Sequence, residues 1–197
     1  MSLVLASGSA VRARMLEQAG VAIEVSVAAI DESTIKDSLR AEGIAVERVA
    51  EALAETKARR VASRFPGRFV LGADQMLEIE GSWLDKPADI VEARRHLQQL
   101  RGRSHRLISS VVLIKDETRI WHHSADAHLR MRNFSDAFLE AYLRENSPQI
   151  LTSVGAYQLE GLGAQLFDRI DGDFFTILGL PLLPVLAQLR QHSLIAT

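Results

Sequence analysis

Five stretches of this chain combine residue types able to do chemistry at spacings that suit anionic oxygen. The first is LVLASGSAVRARML, Leu3 to Leu16. Leu3 to Ala6 reads as a short buried strand that turns through Ser7-Gly8-Ser9 into a helix. A helix N-terminus offers free N–H groups and the positive end of the backbone dipole, which suits phosphate. Gly8 and the small Ser7 and Ser9 let an anion approach, and Arg12 in the first turn can reach the same anion as a bidentate donor. The ordinary alternative is a capped helix with a surface arginine. The second is Lys57, which shares one helical stripe with Ala50, Leu53 and Val61 and so interrupts an apolar face. It either snorkels to water or meets an anion, because an unpaired buried ammonium is costly. The third is Asp74, ending the apolar run FVLGAD; carboxylates at strand ends hold hard cations in α/β folds, and turn-forming aspartates are the plain alternative. Asp31-Glu32 supplies a second acidic position or a helix cap. Lys86-Pro87 sets a lysine just ahead of a helix that Pro87 would open. Each has an ordinary structural reading; together they are what phosphoryl chemistry requires, cations for a polyphosphate and carboxylates for a metal and a water.

Other chemistries are excluded or unsupported. The chain has no cysteine, which removes disulfides, thiolate metal sites and cysteine nucleophiles. Its 23 basic and 25 acidic residues leave a net charge of −2, with no basic excess of the kind that coats nucleic acid, so no stable nucleic-acid binding is expected. The six histidines include His122-His123, adjacent and therefore on opposite faces of a strand, and none has metal-binding spacing. There is no GxxxxGK phosphate loop, no GxSxG elbow, and no base-stacking platform among Trp83, Trp121 and the phenylalanines. The N-terminal apolar run is too short for a signal peptide, and FFTILGLPLLPVLAQL is broken by Gly179, Pro181 and Pro184. A cytoplasmic protein with no membrane association is the expectation.

The elements that must position these residues follow from periodicity. Strands are expected at Leu3–Ala6, Val21–Ala28 and Phe69–Gly72, the last ending on Ala73-Asp74. A long helix is expected over Val46–Phe65, with Val46, Val49, Ala50, Leu53 and Val61 on its apolar side. A turn at Glu80-Gly81 precedes a helix over Pro87–Arg101, with extended segments at Arg106–Lys115 and Arg119–Arg132. Ser135 caps a helix over Asp136–Glu145, Asp171-Gly172 marks a hairpin turn, and a final helix spans Leu182–Gln191. Alternating strands and helices with one hairpin region argue for an α/β domain with a mixed sheet.

LASGSAVRARML resembles the Maf signature LASxSPRRxxLL. The likeness continues in order through Asp31-Glu32, ETKA at Glu55–Ala58, GADQ at Gly72–Gln75, DKP at Asp85–Pro87, GRSH at Gly102–His105, VGAYQLEGLGAQLF at Val154–Phe167 and LGLPL at Leu178–Leu182. The resemblance implies one domain over 1–197, two lobes around a cleft related to the inosine triphosphate pyrophosphatases. It also implies a homodimer that hydrolyses nucleoside triphosphates between the α and β phosphorus atoms with a divalent cation, Mg²⁺ or Mn²⁺, in a house-cleaning role. It makes Asp74 the general base or metal carboxylate and Glu32 a metal ligand. Ser7, Ser9, Arg12, Lys57 and Lys86 would line the triphosphate site. Three positions speak to the base. The dTTP/UTP branch has Arg, Thr and Gln where this chain has Val11, Gln75 and Glu160; the branch resembling 7-methyl-GTP pyrophosphatases has Trp, Gln and Glu. Two of the three match the second branch, and Val11 fits neither. Ala10 replaces the usual proline. The alternative reading is a catalytically silent nucleotide-binding regulator of cell division.

Overall fold

The computed structural model describes residues 2–196. In chain order its elements are β1 (Leu3–Ala6), α1 (Ala10–Gln18), β2 (Ile23–Val25), α2 (Glu32–Ala41), α3 (Val46–Ala62), β3 (Phe69–Ile79), β4 (Ser82–Leu84) and α4 (Ile90–Leu100). There follow β5 (Ser104–Lys115), β6 (Thr118–Met131), α5 (Asp136–Asn146), β7 (Phe167–Asp171), α6 (Phe174–Ile177) and α7 (Leu182–Gln191). The fold is mixed α/β: β1 runs parallel to β2 and β3, while β3/β4 and β6/β7 are antiparallel. No helix among the described residues is long and apolar enough to cross a membrane.

The chain forms two compact units, and β3, β5 and β6 each contribute to both. The first comprises the described residues up to Gln75, Ser109–Ala125, and the described residues from Gly179 on. Its strands lie in the order β2-β1-β3-β5-β6. LVLA is apolar at all four positions because β1 is flanked by strands on both edges and buried throughout. Val4, Ala6, Val70, Val112 and Ile114 pack with Ala54, Ala58, Val61 and Ala62 of α3. The small residues let α3 lie close, and Gly72 marks the tightest approach: a Cβ there would sit 2.1 Å from the Ala54 carbonyl oxygen. α3 ends at Ala62, three residues before the expected Phe65, and its one buried acid, Glu51, is paired with Arg48 and Arg119, each at 2.7 Å.

Two sequence expectations change here, and one helix is added. β3 does not stop at Gly72 but continues through Asp74 to Ile79. Its pairing with β1 ends at Ala6↔Gly72, so Asp74 lies just past the carboxyl end of its parallel partner. The break in apolarity at Asp74 reflects that change of neighbours, not the end of the strand. β2 is only three residues long, within the expected Val21–Ala28. Helix α2, not delimited by its sequence, starts at Glu32 behind the Asp31 cap and buries none of its residues, which is why no core periodicity announced it.

The second unit comprises Met76–Ile108 and Asp126–Leu178. Glu80-Gly81, both at positive φ, turn β3 into β4 as the dipeptide suggested. α4 begins at Ile90, not Pro87: Asp89 is the cap, accepting from Glu92 N, and Glu92 returns a bond from Ala88 N, each at 2.8 Å. Lys86 therefore sits in the β4–α4 connection instead of immediately before the helix. Asp171-Gly172 makes no hairpin; β7 ends there and Asp173 caps α6. The glycine is needed because a Cβ at Gly172 would meet Ala127 of β6 at 2.5 Å. The expected α5, capped by Ser135, and the last helix are where their signals placed them.

The core of this unit gathers Leu77, Leu97, Leu100, Leu129, Phe134, Tyr142 and Tyr157. Buried His105 joins it through a 2.8 Å hydrogen bond between Nε2 and the Tyr157 hydroxyl, while Nδ1 has no hydrogen-bond partner. Desolvation holds its pKa down to about 4. A ring that stays neutral when folded but protonates near 6.5 when unfolded makes the unfolded chain the greater proton binder between those values. Stability is therefore expected to fall as pH drops from about 6.5 toward 4, by at most about 3 kcal/mol. Thermal melts across that window check this; His105→Asn should flatten the dependence, and an unchanged slope would refute the assignment.

Candidate active site

The N-terminal turn, α1, the start of α2, α3 and β3 bring Ser7, Arg12, Glu32, Lys57 and Asp74 together within the first unit. Lys57 Nζ donates to Asp74 Oδ1 at 2.6 Å and meets Glu32 Oε1 at 2.9 Å. The lysine and aspartate side chains are 11% and 6% exposed and the glutamate 43%, so the lysine does not snorkel: it is held between two carboxylates. Spacing on α3 explains the placement, because Ala54 and Ala58 on the neighbouring turns rest against β3 and aim Lys57 at the strand position two beyond Gly72. Asp31 and Glu32 divide the two roles their sequence left open. Asp31 caps α2, accepting from Thr34 N at 3.1 Å and from the Ser33 and Thr34 hydroxyls, which depress its pKa to about 2. Glu32 turns to Lys57.

Arg12 is buried and engaged more deeply than a surface arginine. Nε donates to the Gly179 carbonyl at 2.7 Å, and Nη1 donates to the Ala73 carbonyl at 3.0 Å and to Ser7 Oγ at 3.1 Å. Two of its three nitrogens thus tie the N-terminal turn, the residue before Asp74 and the segment leading to α7 into one assembly. Only the Nη2 edge makes no such bond among the described residues, so the bidentate anion grip suggested by its sequence position is taken up by backbone. Burial lowers the guanidinium pKa, opposed by Asp74 and Glu32; an arginine remains charged even so. Ser9 caps α1, accepting from Arg12 N at 3.4 Å, and Ser7 accepts from Ser9 N at 3.3 Å. Val11 is half-buried in the first turn of α1.

Asp74 is the electrostatic centre. Burial raises its pKa above the usual carboxylate value, with Lys57 and Arg12 pulling the other way. Its second oxygen, Oδ2, is buried without any hydrogen-bond partner. Two cations and two carboxylates leave the cluster near neutrality, so an incoming polyphosphate must bring its own counter-charge. Two carboxylates, one with an orphaned oxygen, are the donors a hard divalent cation takes alongside water and phosphate oxygens. Among the described residues no group of three acidic, histidine or cysteine side chains forms a complete metal cage.

Gln75 follows Asp74 along β3, and its Nε2 donates to Ser109 Oγ at 3.1 Å. Ser109, fully buried on β5, and Gly179, whose carbonyl holds Arg12, were not among the candidate site residues; Gly179 stood out only as a break in an apolar run and as part of LGLPL. Neither carried a local signal of a place in the site, since both act through partners far along the chain. Lys86 and Glu160 belong to the second unit, and both are exposed.

Comparison with known proteins adds an independent line. The family model described as Maf-like protein matches residues 2–192. A nucleoside triphosphate pyrophosphatase from Paramagnetospirillum magneticum is 57% identical over 190 residues, covering 96% of this chain and 98% of that protein. A 7-methyl-GTP pyrophosphatase from Rhizobium meliloti is 47% identical over 189 residues, covering 96% and 95%. Among solved structures, a nucleoside-triphosphatase (dITP/XTP pyrophosphatase) from Mycobacterium abscessus matches 98% of this chain and 96% of its own, with a TM-score of 0.47 and 16% identity.

Proposed function

Because the chain belongs to the Maf family, we propose that it is a metal-dependent nucleoside triphosphate pyrophosphatase, releasing a nucleoside monophosphate and pyrophosphate. The observation that carries this reading is the Glu32–Lys57–Asp74 triad, its lysine and aspartate buried and Asp74 Oδ2 without a hydrogen-bond partner, beside the N-terminal turn of α1. Glu32 and Asp74 are the residues that would hold a divalent cation, Mg²⁺ or Mn²⁺, which when bound neutralises phosphate charge. Lys57 keeps Asp74 Oδ1 in place by its hydrogen bond. Asp74 Oδ2 orients the attacking water and takes its proton, the water oxygen bonds to the α phosphorus, and the bond from that phosphorus to the bridging oxygen breaks as pyrophosphate leaves. Arg12 holds the Asp74 backbone steady through Ala73, and its free edge, with Ser7, Ser9 and Lys86, is assigned to the triphosphate.

The test is direct. Incubation of the protein with a nucleotide panel and Mg²⁺ should yield monophosphate and pyrophosphate in equal amounts. Release of orthophosphate and diphosphate would place the cut elsewhere, and binding without turnover would leave a nucleotide-binding regulator. A homodimer, proposed from the family likeness, is checked by light scattering.

Glu160, Gln75 and Val11 are assigned to the base. Uracil and thymine present acceptor, donor, acceptor along their pairing edge, whereas guanine presents neighbouring N–H donors and 7-methylation adds positive charge. A carboxylate favours the second pattern and opposes carbonyl oxygens. Glu160→Gln is expected to shift preference from GTP and 7-methyl-GTP toward UTP and dTTP by about tenfold, the scale of one charge-assisted hydrogen bond. Identical preference in both proteins would remove Glu160 from the specificity set.

A further inference from the structure

Gly179 has no side chain to offer, yet the Arg12 guanidinium is arranged around it. The Gly179 carbonyl accepts from Arg12 Nε at 2.7 Å. Nη1 is taken twice over, by the Ala73 carbonyl at 3.0 Å and by Ser7 Oγ at 3.1 Å. Nη2 makes no hydrogen bond among the described residues. It is also not among the side-chain atoms buried without a partner, which are Asp74 Oδ2, His96 Nδ1 and His105 Nδ1. Nη2 therefore keeps contact with solvent while the rest of the guanidinium is fixed. Nε and Nη2 belong to one planar fork, so holding the first sets where the second points. A Cβ at Gly179 would stand 3.4 Å from Nε and 3.4 Å from Nη2, against that same fork, and 3.5 Å from Gln75 Oε1. Glycine gives the fork its acceptor without covering the other prong. Its φ of +97° is a conformation that strains any residue with a side chain, so backbone and open space make the same demand.

We infer that Gly179 is a positioning residue for the triphosphate: its carbonyl aims the Arg12 fork, and its missing Cβ leaves Nη2 open to a phosphate oxygen. The inference rests on the pyrophosphatase reading and on the proposed assignment of the free Arg12 edge to the triphosphate. Alanine at this position would keep the carbonyl, and with it the anchor that steadies Ala73. Its methyl group would shoulder Nη2 and hinder an oxygen that must come within about 3 Å of it. Grip on the phosphates weakens while Asp74 stays in place, which separates KM from kcat.

The experiment measures kcat and KM for the best nucleotide, and the inhibition constant of inorganic tripolyphosphate, which has no base and so excludes effects through Gln75. The parent, Gly179→Ala, Gly179→Asn, Arg12→Lys, the double variant Arg12→Lys with Gly179→Ala, and Gly20→Ala are compared, each with a melting temperature. Gly20 adopts φ +78° with nothing within 4 Å of a Cβ, so Gly20→Ala carries backbone strain alone. Gly179→Ala should raise KM and the tripolyphosphate constant about tenfold, as when one charged donor loses its phosphate oxygen, with kcat within about threefold of the parent. Asparagine enters positive φ more readily than alanine, so Gly179→Asn should raise both constants at a smaller cost in melting temperature. Gly20→Ala should lower the melting temperature and leave both constants unchanged. In the Arg12→Lys background, where the planar fork is gone, Gly179→Ala should add nothing further to either constant. An unchanged tripolyphosphate constant in both Gly179 variants, an equal rise with and without Arg12, a loss confined to kcat, or Gly179 variants that fail to fold where Gly20→Ala folds would make this glycine a backbone requirement only. Any of these overturns the inference. No hydrolysis of any nucleotide by the parent would overturn the pyrophosphatase reading instead.

Discussion

Asp74→Asn is expected to lower turnover of the preferred nucleotide by about a thousandfold, within the range removed with a positioned general base. The substitution keeps shape and volume. The asparagine oxygen can still accept from Lys57 Nζ, now 2.6 Å from Oδ1, and Glu32 remains 2.9 Å away on the other side of the ammonium. What disappears is negative charge at the buried Oδ2, the atom with no hydrogen-bond partner. Stability should therefore hold while chemistry fails, the melting point moving by no more than about 3 °C, which for a chain of this size corresponds to roughly 1 kcal/mol. Steady-state kinetics with pyrophosphate detection, paired with thermal melts, decides it. Near-parental turnover would strip Asp74 of its role, and a collapsed melting point would mean that the carboxylate is structural.

Gly72→Ala should do the opposite, damaging the fold first and the site with it. A methyl group at this position would stand 2.1 Å from the Ala54 carbonyl oxygen, 2.8 Å from the Ala58 Cβ and 2.9 Å from the Ala58 nitrogen. Two of these neighbours are helix backbone, so no side-chain rotation relieves the clash. α3 must move off the sheet. Overpacking of this severity costs about 3 kcal/mol, or a melting point lower by about 10 °C. Because Lys57 rides on the same helix, one residue from Ala58, displacement of α3 also pulls the ammonium from Asp74. Activity measured well below the lowered melting point is expected to fall at least tenfold. A stable, fully active Gly72→Ala protein would show that the helix–strand approach does not control the site.

Much of the site could be read along the chain because its parts sit on local signals. A Ser-Gly-Ser turn opens a helix, a lysine interrupts an apolar stripe, and an aspartate follows an apolar run; each stands out against its immediate neighbours. The same locality explains the errors. Asp74 looked like a strand end because the chain turns polar there, yet β3 continues to Ile79 while β1, its parallel neighbour, stops. Pro87 looked like a helix start, but the reciprocal bonds of Asp89 and Glu92 outweigh it. Asp171-Gly172 looked like a hairpin because the dipeptide favours tight turns, whereas its glycine answers a close approach by Ala127.

The amino-acid sequence by itself determined the α/β alternation, most of the helices and strands, and which side chains carry charge into an apolar setting. These depend on periodicity and residue chemistry, which are properties of short stretches. Tertiary structure alone decided that Lys57 is shared between Glu32 and Asp74, that Arg12 spends two nitrogens on backbone, and that Ser109 and Gly179 attend the site. Those pairings join positions up to 167 residues apart. A hydrogen bond depends on distance in space, which separation along a chain does not encode.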